Sequence, residues 1–130
     1  MVEFVLRARL GTFCPNADVF IDEDDRRLLV VIEVAGADPE SLRIAFDHHS
    51  LIASGRRLKS VGLPRGSFVQ KEIVLGDFLK RIPLPVGIEY EGVAASYEDG
   101  FLLIVAPIAA TAYTPTARTQ LHVMIKRTHS

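Results

Sequence analysis

Glu98-Asp99-Gly100, set between two β-rich runs, constrains the fold of this chain more than any other feature. Asp-Gly between apolar segments specifies a tight hairpin, because both central positions of the favoured turn need a positive φ. On the near side Val93, Ala95 and Tyr97 alternate with Ala94 and Ser96, so one face can be buried and the other left wet. On the far side Phe101-Leu102-Leu103-Ile104-Val105 is a continuous apolar run, the pattern expected of a strand covered on both faces. Pro107 lacks a ladder donor and ends it. The rest of the chain reads as strands assembled to cover this hairpin.

Upstream, Met1 to Cys14 is a short leader whose Val2, Phe4, Leu6 and Leu10 fit a strand start and an amphipathic turn equally well. Pro15-Asn16 marks a turn, and Ala17 to Ile21 reads as a strand. Asp22-Glu23-Asp24-Asp25 is a charged turn without the glycine and closing glutamate of a calcium loop. Leu28 to Ala35 is the longest β-branched run and the expected central strand. Leu42, Ile44 and Phe46 alternate with Arg43, Ala45 and Asp47, His48-His49 turns the chain, and Leu51 to Ser54 returns as the partner strand. Gly55 to Gly66 reads as a long mobile loop, with Leu58, Val61 and Leu63 uncovered. Loops of that length in compact domains are usually functional. Ser67 to Leu75 and Asp77 to Leu84 look extended and meet at Gly76. After Pro107 a small, Thr-rich, proline-punctuated stretch reads as a flexible tail. Apolar alternation resumes at Leu121, Val123 and Ile125, so the tail must dock, on its own domain or on another chain.

With 130 residues the chain is one domain by size, able to bury roughly two-thirds of its unfolded surface without staples. Net charge is −1, with 15 basic against 16 acidic residues, which gives no electrostatic case for nucleic acid or an anionic membrane. A single cysteine, Cys14, excludes an internal disulfide and fits a reducing compartment. It reads as an inert leader residue or as a thiol switch between subunits. The opening segment lacks the apolar core and cleavage site of a secretory signal, and no run approaches a bilayer span. The expectation is a cytoplasmic protein.

Catalytic chemistry finds no footing. Ser50, Ser54, Ser67 and Ser96 lack an elbow motif, and Cys14 stands beside a proline. His48 and His49 have no third ligand at a supporting spacing, so no metal, cofactor or enzymatic activity is expected. Many short strands at close spacing, with Gly, Pro and Asp turns and no periodic helix, predict an all-β immunoglobulin-like sandwich.

Ala95-x-x-x-x-Gly100-Phe101-Leu102 resembles the A-x-x-x-x-G-V-L signature of the small heat-shock protein (α-crystallin domain) family. Asn16 to Phe20 is similar to the family's first domain strand, Ala35 to Leu42 to its P-G-V-x-x-E-D-I corner, and Phe78-x-Lys80-x-Ile82-x-Leu84-Pro85 to its F-x-R-x-x-x-L-P strand. The likeness covers residues 15 to 107 and divides the chain into an arm (1–14), an α-crystallin-like domain (15–107) and an extension (108–130). Phe101 stands where valine is usual, to be accommodated by core repacking, and Ala35 where proline is common. Lys80, the ion-pair candidate, replaces a frequent arginine and lacks its bidentate fork. The leader is shorter than the family's usual arm.

The resemblance implies an ATP-independent holdase that binds unfolding clients and works as a dimer-based homo-oligomer. A non-holdase interaction or co-chaperone module is the alternative. It also implies a tail motif, Val123 and Ile125, docking in a groove lined by Leu42, Ile44, Phe46, Val93 and Ala95, residues that equally read as sandwich core. The Gly55-to-Gly66 loop, through Leu58, Val61 and Leu63, would carry a strand exchanged onto Asp18, Val19 and Phe20 of a second copy.

Overall fold

The structure, a computed structural model, describes residues 13–47, 49–57 and 62–110, together with the strands at 119–121 and 124–125. Among the described residues nine strands form two sheets: β1 (Asn16–Asp22), β2 (Arg27–Glu33), β3 (Arg43–Asp47), β4 (Ser50–Arg57), β5 (Gly76–Pro83), β6 (Ala94–Glu98), β7 (Phe101–Pro107), β8 (Thr119–Leu121) and β9 (Met124–Ile125). One sheet runs β1-β2-β7-β6-β9 and the other β5-β4-β3-β8. Every pairing is antiparallel except β6 with β9. This is the β-sandwich that the turn spacing predicts.

The hairpin at its centre forms as its two turn residues require. Asp99 and Gly100 both have positive φ, 55° and 84°, and Glu98 faces Phe101 across a two-residue loop. Gly100 is needed twice over. A Cβ there would lie 3.2 Å from both Cα and Cβ of Ala35, so the turn sits directly on the Ala35-Gly36 corner. The Val34 N–H donates to the Gly100 carbonyl at 2.8 Å and ties the two together.

The corner is held to β4 in turn. Asp38 caps the turn Pro39–Ser41 by accepting from the Glu40 N–H, and the Ser41 hydroxyl accepts from the Arg56 N–H at 2.8 Å. At the β1–β2 turn, Arg26 takes a positive φ of 52°. The Arg27 guanidinium donates to Asp22 there, and with the Asp25 N–H it holds the Asp22 carboxyl below the usual carboxylate range.

The inward-facing residues of both sheets form one core: Leu28, Val30 and Ile32 of β2, Ile44 and Phe46 of β3, and Leu102 and Ile104 of β7 are all at most 1% exposed. Three features depart from the sequence expectations. The Phe101-to-Val105 run is not covered on both faces: Leu102 and Ile104 are buried, while Phe101 is 47% exposed and Leu103 and Val105 are half-buried. They lie on the outer face beside Leu29 and Val31 of β2. Phe101 therefore needs no repacking of the core. Apolar composition alone cannot separate an outer face from a buried one.

Gly55, Arg56 and Arg57 belong to β4 and pair with Phe78, Asp77 and Gly76, where a loop was expected. A Cβ at Gly55 would come within 2.9 Å of both Leu42 and the Phe78 ring, so this glycine answers to packing and not to a turn. Ile108 and Ala109, read as the start of the tail, are bound to the body. Their N–H groups donate to the carbonyls of Arg26 and Gly87, at 3.0 and 2.9 Å.

Residues 62–75 belong to no strand and expose Leu63, Phe68, Val69 and Ile73, each at least 60%. The base of this segment is anchored. Arg57 donates to the Val74 carbonyl, its guanidinium lies 3.6 Å from the centroid of Phe13, and Phe13 meets Phe78 edge-on at 6.1 Å. Burial pulls the Arg57 pKa down; the guanidinium nevertheless keeps its charge at neutral pH.

Candidate functional site

At one side of the sandwich the two sheets end in β3 and β6, and both edges carry a strand from the tail. Thr119, Gln120 and Leu121 pair with Phe46, Ala45 and Ile44. Met124 and Ile125 pair with Ser96 and Tyr97. Leu121 and Met124 are three residue steps apart, a reach of up to about 10 Å, and packed sheets lie about 10 Å apart. The tail thus crosses from one sheet to the other. Alternation at Leu121, Val123 and Ile125 predicts a single strand; the structure has two short ones on different sheets. Ile125 holds a register position on β6, and Val123 lies outside the described residues.

Beneath the two edges the sequence-selected groove residues come together. Leu42, Ile44 and Phe46 are 2%, 0% and 0% exposed, and Ala95 is 6% exposed. Val93, just before β6, packs partly buried against the same core. The rings of Phe46 and Tyr90 meet edge-on with centroids 4.9 Å apart. Tyr90 comes from the 3-10 turn Tyr90–Gly92, which the Val93 N–H closes onto the Tyr90 carbonyl. Tyr90 and Tyr97 are the residues that sequence reasoning did not place at this site. The period-2 pattern marks Tyr97 as inward, but nothing local to Tyr90 signals a ring packed on β3.

Tyr97 is the polar pin of the site. Its hydroxyl donates to the Val34 carbonyl at 2.8 Å, joining β6 to the Ala35-Gly36 corner, and burial pushes its pKa up. Replacing Tyr97 by phenylalanine leaves that carbonyl only the long bond from the Ala37 N–H, at 3.4 Å, and should cost about 1 kcal/mol in urea unfolding. Because the folded-state pKa is raised, the tyrosine contributes stability that is present below the usual phenol range and lost as pH climbs through the shifted value. The phenylalanine variant should lack that alkaline loss.

The remaining selected residues lie elsewhere. Asp18, Val19 and Phe20 form part of β1, the opposite edge of the five-stranded sheet; Val19 and Phe20 are 43% and 61% exposed. Lys80 shares a face of β5 with the buried Phe78 and Ile82. Leu63 is exposed; Leu58 and Val61 lie outside the described residues. Among the described residues no three His, Cys, Asp or Glu side chains group as metal ligands, and no helix is long and apolar enough to cross a membrane.

Two sheets in this order, a signature hairpin seated on the corner, and paired edges open to an extended segment define an α-crystallin-type domain. The sequence profile of the Hsp20/alpha crystallin family matches residues 20–125. The chain belongs to that family.

It is similar to small heat shock protein C4 of Rickettsia felis, 28% identical over 93 residues that cover 72% of this chain and 56% of the relative. It is also similar to a 19.0 kDa class II heat shock protein of Oryza sativa subsp. japonica, 28% identical over 83 residues, covering 59% and 47%. The chain thus spans about half the length of these relatives. Among solved structures, a small heat-shock protein from Xylella fastidiosa superposes with a TM-score of 0.63 at 26% identity, covering 81% of this chain and 94% of that one. Heat shock protein 16.0 from Schizosaccharomyces pombe has the same fold, with a TM-score of 0.67 at 21% identity, covering 82% and 96%.

Proposed function

We propose that this chain is an ATP-independent, non-enzymatic holdase of the cytoplasm. It binds exposed apolar segments of unfolding proteins, keeps them from aggregating, and works as a dimer-based homo-oligomer without cofactor, nucleic acid or membrane. The arm (1–14), domain (15–107) and extension (108–130) divide this work. The observation that carries the reading is the pair of edges at β3 and β6 above the core that contains Leu42, Ile44, Phe46 and Ala95. An extended apolar segment adds there as strands, with backbone hydrogen bonds for affinity and side-chain pockets for selectivity. The tail, through Val123 and Ile125, is the native occupant, and a client segment offers the same chemistry.

The dimer rests on the opposite edge. Phe68, Val69 and Ile73 lack cover in their own chain, which favours Ser67–Val74, more than Leu58, Val61 and Leu63, as the strand exchanged onto β1 of a second copy. Charge supports the pairing. Asp18, Asp22 and the acidic turn after β1 would face a segment that carries Lys71 and Glu72, with Arg65 just before it.

Light scattering on size-exclusion peaks, with suppression of aggregation of a heat-labile client, tests the reading. The full chain should exceed a dimer and suppress aggregation; Val123→Ala/Ile125→Ala should fall to the dimer. Equal dimers without suppression would leave an interaction module and refute the holdase.

A further inference from the structure

Two parts of the chain meet at the outer edge of β5. Phe13 forms a parallel bridge with Phe78 of β5, and the two rings touch edge-on. Residues 70–75 run into the same strand at Gly76 and belong to no strand themselves. Gly76 takes a positive φ of 124°, and Arg57, its partner on β4, grips the chain on the far side of it. That one guanidinium holds both parts: it donates to the Val74 carbonyl and lies 3.6 Å from the centroid of the Phe13 ring. The sequence before Phe13 alternates. Val2, Phe4, Leu6, Ala8 and Leu10 are apolar, with Glu3, Arg7 and Arg9 between them, the patterning of a strand with one apolar face.

We propose that residues 5–10 of the arm add as a parallel strand along residues 70–75 of the same chain, in the register set by Phe13 and Phe78, making a two-stranded ribbon. Continued upstream, that register puts Leu10 opposite Leu75, Ala8 opposite Ile73 and Arg7 opposite Glu72. Apolar residues then meet apolar ones, the exposed Ile73 among them, and an opposite-charge pair spans the strands. A strand has two backbone edges. The arm takes one edge of 70–75 and leaves the other for β1 of a second copy, so what passes between subunits is a ribbon and not a lone strand. With Glu72 matched by Arg7, Lys71 is the charge left to face the acidic β1. Covering one edge also keeps an exposed apolar segment from pairing indiscriminately. The exchange between copies rests on the dimer reading above; the ribbon does not, since both its strands belong to one chain.

The register supplies the test. In the full chain carrying Cys14→Ser, Ala8→Cys and Ile73→Cys, mild oxidation should join the two new thiols within one chain, because neighbouring strands lie within the span of a disulfide. The product runs at monomer mass on a denaturing, non-reducing gel and has lost its free thiols at every dilution. Ala8→Cys with Gln70→Cys in the same Cys14→Ser chain, three positions out of register, should close several-fold more slowly. Hydrogen exchange adds a cysteine-free check. Ala8→Pro/Leu10→Pro, which removes two ladder donors from the arm, should speed exchange of the amides of 70–75 by about ten-fold while those of β2 and β7 keep their rates. Interchain products in place of the internal bridge, equal closure of the two cysteine pairs, or unchanged exchange at 70–75 would each overturn the ribbon. Light scattering on the same samples separates the two readings. A bridged monomer keeps the ribbon and removes the exchanged dimer, whereas a dimer without the bridge keeps the dimer and removes the ribbon.

Discussion

Phe46→Ala is expected to lower the free energy of unfolding by about 3–5 kcal/mol, the range for deleting a fully buried phenylalanine. The ring is 0% exposed and meets Tyr90 edge-on at 4.9 Å. Its removal therefore forfeits both transfer free energy and an aromatic contact, and leaves a cavity lined by residues of both sheets. Phe46 also pairs with Thr119, so the loss falls on the strand to which the first strand of the tail is joined. Urea denaturation followed by tyrosine fluorescence measures the loss. Phe46→Leu should recover part of it, since the cost tracks the volume removed. A loss under 1 kcal/mol would mean that the site collapses and that the core is not organised around this ring.

The second large effect concerns association. Phe68→Asp/Ile73→Asp should weaken the dimer by roughly 100- to 10,000-fold, from about 3 to 6 kcal/mol for two side chains that would otherwise be buried. Both residues are more than 60% exposed in the single chain, so the fold itself should melt within about 0.5 kcal/mol of wild type. That contrast separates an interface from a core: sedimentation should show monomers with an intact β spectrum. Dimers persisting at micromolar concentration would exclude Ser67–Val74 from the interface.

What the sequence could disclose follows from how local each determinant is. The hairpin at Asp99-Gly100 was legible because the turn's demand for positive φ acts on two adjacent residues. The inward faces of β3 and β6 were legible because alternation acts over a few residues. Gly55 was not, because its role is set by Leu42 and Phe78, 13 and 23 positions away. Glycine beside two arginines looks like a loop until those neighbours are in place. The run Phe101 to Val105 misled for the opposite reason: this sheet carries apolar side chains on its outer face too. The opposite sheet mixes charge into its outer face, with Arg56 paired to Asp77 and Arg81 to Asp47 around the exposed Leu79. At the tail, alternation disclosed strand character but not the two sheets it joins, since that depends on the gap between β3 and β6.

The strand order has one more consequence. In the sheet β1-β2-β7-β6-β9, the two edges proposed to meet other chains lie at opposite ends. On that proposal, and in the language of polymer chemistry, each subunit would be a bifunctional monomer, one end reacting through β1 and the other through β6 with its companion β3. A subunit whose own tail fills the second end has lost one function and acts as a chain stopper. The mean size of the assembly then follows the fraction of stoppers, so a modest change in that fraction would shift the whole distribution of sizes without altering any contact between subunits.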